Sequence, residues 1–355
     1  MPVRDEAQLI RLCRVLCIFF MMYVHVSPGL SHASIVSGGE LTWLGDLLGH
    51  ILGRASVATL SLVSGYLLIR TAASMPISLI ARRRFRTLLV PMLVWNLIYY
   101  LLLLAKAGFS GTRATAALQE DGNDLLALLT GLTGPTANLS LFFLRDLFVS
   151  LIIVRLLMPW LRRFPIPIIA GVCGATLLDL LEPVVFRPSI LLFVCAGAIY
   201  ALKANHLTAW LAPKVLGPSG VVLAVGLFLI QRAQGPVAAE AESLMLRALL
   251  TLGTLTLCAR LAKTGAGGWL AEFELRIFET YLVHASLIGI LWLIWSTLVG
   301  GPHDFSYVVF FLGMPLVSIM GGQILGAFLD RAPGMVQMLF RGKSRDALRQ
   351  GRSGP

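Results

Sequence analysis

Arg14 and His25 lie eleven residues apart inside the first apolar stretch of the chain, which runs from about residue 9 to about residue 28. A stretch of roughly 20 apolar residues is long enough to cross a bilayer as a helix. An ionisable side chain within such a span costs about 3 kcal/mol or more, so each of the two is a candidate functional residue. An imidazole titrates near neutral pH, so it can take a proton from a hydroxyl group and pass it on.

The spacing of this pair favours a shared role. Eleven residues at about 100° each amount to three turns plus roughly 20°, so Arg14 and His25 share one face of a helix. At about 1.5 Å per residue they are roughly 16 Å apart along its axis. This arrangement predicts a site that runs across a membrane, with the cation near the cytoplasmic end. The alternative for His25 is a structural histidine that is bonded to the backbone of a neighbouring helix.

The composition indicates an integral membrane protein. Hydrophobic residues make up 57% of the 355 residues and charged residues only 13%, whereas a globular domain is usually about 25% charged. The net charge of +11 could suggest a nucleic-acid partner. The basic residues, however, cluster in alternate loops between apolar segments, which is typical of a polytopic membrane protein with cations on its cytoplasmic side.

Hydropathy predicts an all-α protein of ten membrane segments with both termini in the cytoplasm. The predicted segments are 9–30, 42–69, 87–106, 139–160, 166–181, 188–203, 214–231, 244–262, 277–299 and 306–329. The membrane domain is expected to cover residues 1–335, and the basic end, 336–355, to be a disordered cytoplasmic tail that touches anionic lipid. The outer loop 107–138 is interpreted as a connector rather than a lid over the site.

A basic cluster precedes the third segment. Arg82, Arg83, Arg84 and Arg86 follow one another closely just inside the membrane. One interpretation is that they set topology and contact lipid headgroups. The other is a phosphate site, because Arg83 and Arg86 are three residues apart at the start of a helix and can converge on one anion.

Further polar residues within the apolar segments are candidates for substrate contact or for support of the site. Arg145 and Asp146 are adjacent, so their side chains are expected to point in different directions and to find partners elsewhere; a structural ion pair and a catalytic role both stay open. Tyr281 and His284 are three apart and share a helix face, which favours a structural or supporting role. Ser64 stands beside a glycine that could let two helices approach closely, and no nucleophile elbow surrounds it.

Six short stretches occur in an order that is specific when they are taken together. They are RVLCIFFMMYVH with its R-x10-H spacing, LSLVSGYLL, RRFRTLLVP, LFFLRDL, FVCAGAIYA and FETYLVH. In these stretches, which cover most of the length, the chain resembles the membrane-bound acyltransferase family 3. Members of that family O-acylate sugars and other surface molecules.

The resemblance implies ten core helices, an acyl-CoA co-substrate from the cytoplasm and an acceptor at the outer side. The family's essential histidine corresponds to His25 and its arginine in the first span to Arg14. Its Arg-x-x-Arg pair corresponds to Arg83 and Arg86, although Arg82 and Arg84 are equally available. No permanently bound cofactor, metal or nucleic acid is expected.

The sequence therefore predicts an inner-membrane O-acyltransferase, most simply an O-acetyltransferase that uses acetyl-CoA. The acceptor is expected to be a glycan or its lipid-linked precursor, with His25 as general base. Direct transfer and an acyl-histidine intermediate both stay open. The alternatives are a transporter of an anionic or lipid-linked solute and a non-catalytic partner in glycan export. The sequence does not specify the acyl group, the acceptor hydroxyl or the oligomeric state.

Overall fold

A computed structural model describes residues 3–26, 42–110, 125–132, 134, 136–181, 184–204, 206–207, 240–301 and 306–343. Within these ranges the chain is all-α and contains no strand, as predicted. The helices are α1 (Val3–Met22), α2 (Thr42–Gly45, Asp46–Gly53 and Arg54–Ala72), α3 (Ile77–Arg84, Phe85–Leu89 and Val90–Ser110), α4 (Leu125–Thr130), α5 (Phe142–Arg163), α6 (Pro165–Leu177), α7 (Pro188–Lys203), α8 (Glu240–Leu261), α9 (Gly265–Glu272), α10 (Ile277–Leu298), α11 (Ser306–Leu329) and α12 (Gly334–Arg341).

Six helical segments of the described chain are long and apolar enough to cross a membrane. They are Glu6–His25, Leu47–Ala72, Ile77–Lys106, Ala241–Leu261, Gly265–Leu298 and Ser306–Leu329. Each overlaps a segment predicted from the sequence, which confirms that this is a membrane protein. The count of ten spans and the cytoplasmic orientation of both termini stay predictions.

Three other predicted spans correspond to helices of a different kind. α5 has 22 residues, but it carries several charged side chains. α6 and α7 are apolar but short, with 13 and 16 residues. The predicted segment 214–231 lies outside the described residues, as does half of the loop 107–138.

The first helix lies among the others. α1 packs against α2, α8, α9, α10 and α11, and its Leu9, Leu12 and Met22 side chains are fully buried. Its last turn, Tyr23–His25, is a 3-10 helix. Arg14 nevertheless keeps 41% of its side chain exposed, so a solute can reach the guanidinium group.

Helices α2 and α7 cross with their backbones in contact. A Cβ atom on Gly65 would overlap the carbonyl group of Val194, and one on Gly197 would overlap that of Leu62. Small residues allow such close approach between helices in a membrane, where dispersion contacts replace the hydrophobic effect as the source of attraction. Ser64 does not take part in the crossing through its hydroxyl, which donates to the Leu60 carbonyl of its own helix at 2.7 Å.

This crossing predicts a strong dependence on residue size. We expect Gly197→Ala to lower the melting temperature of the detergent-solubilised protein, because overpacking typically costs about 1–3 kcal/mol. Gly171→Ala in α6 is the matched control, since nothing lies within 4 Å of the added methyl group. Equal melting temperatures for the two variants would show that α2 and α7 do not need this contact.

Candidate active site

Two histidines from distant parts of the chain meet beside α1. The rings of His25 and His284 have their centroids 5.3 Å apart and are tilted by 59°. His25 ends the 3-10 turn and is half-buried, whereas His284 lies in α10 and is fully buried. The structure therefore brings together the candidate base and one of the residues that the sequence placed in a supporting role.

The hydrogen bond of His284 defines which ring nitrogen carries a proton. Its Nδ1 lies 2.6 Å from the backbone carbonyl oxygen of Tyr281. A carbonyl oxygen can only accept, so Nδ1 is the donor and Nε2 of the neutral ring presents a lone pair. The Nε2 atom is buried and has no hydrogen-bond partner among the described residues. It is therefore a proton acceptor next to His25 whose capacity is unused.

Tyr281 holds this part of α10 in place. Its hydroxyl group donates to the carbonyl oxygen of Ser140, just before α5, at 2.6 Å. Its ring lies against His284, with centroids 5.7 Å apart, and against Phe143, with centroids 6.3 Å apart. These contacts suit a supporting role for Tyr281, which stays a prediction.

A second contact joins the same two parts of the chain. Arg14 of α1 donates to Glu274, in the 3-10 turn before α10, at 2.6 Å. The contacts occur in the same order along both segments, so α1 and α10 run parallel. Eight α-helical steps and three 3-10 steps separate Arg14 from His25, which is about 18 Å along the axis. The 3-10 turn makes this distance slightly longer than that of a regular α-helix.

The Arg14 end of this pair belongs to a larger group of charges. The ionic cluster, as we call it, comprises five cations and three carboxylates: Arg14, Arg84, Arg276, Arg341, Lys343, Glu274, Glu279 and Asp330. Arg341 donates to Asp330 at 2.7 Å and to Glu279 at 3.5 Å. Burial alone would raise the pKa of Asp330, but hydrogen bonds from Arg341 and Arg276 hold it below its usual value.

Two cations of the cluster lack a carboxylate partner among the described residues. Arg84 is partly buried and lies close enough to Arg14 for the two to repel each other. Desolvation, followed by repulsion from Arg14 and Arg84, lowers the pKa of the Lys343 ammonium group. The carboxylates are each engaged by an arginine, so the cluster keeps an excess of positive charge.

The arginines predicted to bind phosphate do not share one environment. They lie within α3, which begins at Ile77, and not in a loop before it. Arg82, Arg83 and Arg86 are exposed, and Arg83 contacts the sulfur of Met75 at 3.3 Å. Arg84 is the one that the structure brings to Arg14. Phosphate binding by the others stays a prediction.

A family model described as an acyltransferase domain matches residues 9–325 of the chain. The chain belongs to this acyltransferase family. The match confirms the resemblance that the six sequence stretches indicated. The transferase is also 25% identical over 319 residues to the succinoglycan biosynthesis protein ExoH of Rhizobium meliloti (strain 1021). The matched region is 87% of this chain and 85% of that protein. No solved structure matches it.

The expectation that Arg145 and Asp146 of the acyltransferase find separate partners was wrong. Arg145 donates to Asp146 at 2.7 Å, and its guanidinium group lies 4.2 Å from the centre of the Phe186 ring. Asp146 also accepts the backbone N–H groups of Phe186 and Arg187, just before α7. An aspartate that is fully buried needs all of these donors, and adjacent side chains on a helix can supply one of them.

Sequence reasoning missed the residues of the transferase that follow α11. Residues 336–341 belong to α12, although they were assigned to a disordered tail. A signal was present, because Pro333 precedes MVQMLF and Gly342 follows it, as at the start and end of a short helix. Residues 344–355 lie outside the described part. Within that part, no three His, Cys, Asp or Glu side chains lie close enough to hold a metal ion.

The hydrogen bond of His284 makes a prediction about its tautomer. In histidine-labelled acyltransferase, we expect ¹⁵N NMR to show a neutral ring protonated at Nδ1, because the Tyr281 carbonyl fixes the proton there. The chain has 6 histidines, and loss of the signal in His284→Asn would assign it. A ring protonated at Nε2, or at both nitrogens, would contradict this geometry.

Proposed function

We propose that this protein transfers an acyl group, most simply acetyl, from acyl-CoA on the cytoplasmic side to a hydroxyl group of a glycan or lipid-linked sugar at the outer side of the inner membrane. The observation that carries the proposal is the parallel pairing of α1 with α10. It combines two imidazoles at one end with an excess of cations about 18 Å away. Acyl-CoA has phosphates at one end of a long arm and a thioester at the other, and so matches such a site.

His25 is the general base of this proposal. It takes the proton of the acceptor hydroxyl while the oxygen attacks the thioester carbonyl. The C–O bond of the ester forms, the C–S bond of the thioester breaks, and the imidazolium returns the proton to the CoA thiolate. In the alternative, His25 itself accepts the acyl group before the hydroxyl does. His284 lies beside His25. Its Nε2 can accept a hydrogen bond either from the His25 ring or from the hydroxyl group of the acceptor.

The donor phosphates are assigned to the cationic end. Arg14 of α1 and Arg84 of α3 lie close enough to repel each other, and bidentate contacts from guanidinium groups suit phosphate oxygens. The exposed Arg82, Arg83 and Arg86 continue this positive surface along α3. Arg14 is bonded to Glu274, which orients it while leaving its side chain partly exposed.

The acceptor class rests on the relative and on the topology. The Rhizobium protein is named for the biosynthesis of succinoglycan, a polysaccharide, and the match covers most of both chains. The pattern of cation-rich and cation-poor loops favours a cytoplasmic location for the ionic cluster, where CoA is available, and a location nearer the outer side for the histidines. Family membership favours this function over the transporter and export-partner alternatives.

The role of His25 predicts a large loss of activity without a loss of protein. We expect His25→Ala to insert at wild-type abundance and to reduce acylation about 10²–10⁴-fold, as removal of a general base does. Mass spectrometry of surface glycans and blotting of membranes measure the two quantities. His206→Ala is the control, because 43% of that side chain is exposed and its ion pair is with Glu6. Acylation above a tenth of wild type in His25→Ala would exclude His25 from the chemistry.

The donor assignment predicts unequal effects along α3. We expect Arg84→Gln to weaken acetyl-CoA binding about tenfold or more, because a charge-assisted contact contributes about 1.5–3 kcal/mol and tenfold corresponds to about 1.4. The double substitution of Arg83 and Arg86 by Gln should cost less, since both residues are exposed. Binding is measured on inserted protein, with Arg→Lys variants as controls for insertion. If only the double variant lost binding, the phosphates would instead be assigned to the exposed side of α3.

A further inference from the structure

The C-terminal helix is attached to α3 beside the ionic cluster. The indole N–H of Trp95 donates to the Phe340 carbonyl at 3.0 Å, and the two rings meet edge to face at 6.0 Å. Gly342 ends α12 with φ of 71°, and a Cβ atom there would lie 2.6 Å from the Cα of Thr87. The end of α12 is therefore fixed one turn beyond Arg84, where α3 carries its arginines.

Arg341 anchors this end of the chain. Only 3% of the residue is exposed, and its guanidinium group donates to Asp330, to Glu279 and, at 2.8 Å, to Gln337. Its Nε donates to the backbone carbonyl of Lys343 at 3.2 Å. A buried charge is tolerated when it is paired and hydrogen-bonded in this way. The same side chain therefore fixes the backbone of the lysine that follows.

Lys343 reaches the cluster from this anchored backbone. Its ammonium group feels the charges of Arg14 and Arg84 and, with opposite sign, those of Glu274 and Glu279. Both glutamates are already bonded, the first to Arg14 and the second to Arg341. The Lys343 side chain reaches solvent, although the protein around it partly desolvates its ammonium group. Three cations from α1, α3 and the end of α12 thus converge, and the charge that would balance them is an anion from outside the chain.

We infer that Lys343 is a phosphate-binding residue, and that α12 completes the acyl-CoA site begun by Arg14 and Arg84. This inference rests on the proposed function, because it takes the phosphates to be those of the donor. An anionic lipid headgroup carries the same chemistry and is distinguished by the experiment. Arg341 is a positioning residue, since it holds the Lys343 backbone and is itself buried against carboxylates.

Full-length protein in nanodiscs of neutral phosphatidylcholine tests the inference, with acetyl-CoA as the probe. We expect Lys343→Gln to weaken acetyl-CoA binding about tenfold, as loss of one charge-assisted contact does, and Lys343→Arg to restore most of it. The lysine is exposed, so neither variant is expected to change folding. Lys263→Gln is the matched control, since it removes an exposed lysine from the turn between α8 and α9 and should bind as wild type does.

The outcomes separate this inference from the function on which it rests. If wild-type protein does not bind acetyl-CoA, the donor assignment and the role of Lys343 both fall. If wild type binds it and Lys343→Gln binds it equally well, the inference is overturned while the proposed function stands. A defect that appears only when phosphatidylglycerol replaces part of the neutral lipid would also overturn it, because the anion at Lys343 would then be a lipid headgroup.

Discussion

The parallel packing of α1 against the segment from Glu274 to His284 is the constraint on which the rest of the site depends. One contact is ionic, at Arg14, and the other joins the rings of His25 and His284. Since the two helices cross the membrane in the same direction, the chain between them must cross it an odd number of times. The same helix packing therefore constrains both the membrane topology of the protein and the distance between the ionic cluster and the two histidines.

The balance of charge differs between these ends. At the histidine end, burial is combined with a polar atom that has no partner among the described residues, the Nε2 of His284. At the other end, carboxylates neutralise Arg341 and Arg276, whereas Arg84 and Lys343 have no carboxylate partner in the part of the chain that the structure describes. Unsatisfied groups in a low-dielectric environment are costly. Under the proposed function, a bound substrate would supply the missing interaction at each of these two ends.

Sequence periodicity predicted much of this architecture because long apolar helices leave a strong pattern. α7 begins and ends at the predicted residues 188 and 203, and α10 and α11 agree with their predictions to within a residue. The pattern fails where a contact depends on other parts of the chain. The partner of Asp146 is its own neighbour Arg145 together with the chain before α7, and spacing along one helix does not show this.

The same limit applies to the charges of the site. The sequence spacing showed that Arg14 and His25 belong together on one helix. It did not show their partners Glu274 and His284, which follow some 260 residues later in the chain. α12 was missed because a short basic segment at a chain end resembles a solvated tail. The contacts that hold it come from distant parts of the chain, since buried Arg341 donates to Asp330 and Glu279 and the Trp95 indole donates to the Phe340 carbonyl.

The π segment Phe85–Leu89 gives α3 a constraint of another kind. A π turn is closed by hydrogen bonds from residue i to residue i+5, so it accommodates one residue more than an α turn. A relative with one residue fewer between Arg84 and Pro91 would form a regular helix here, and its arginines would be rotated by about 100° relative to the rest of α3. The number of residues in this stretch therefore fixes the direction of the arginines, independently of which apolar residues fill it.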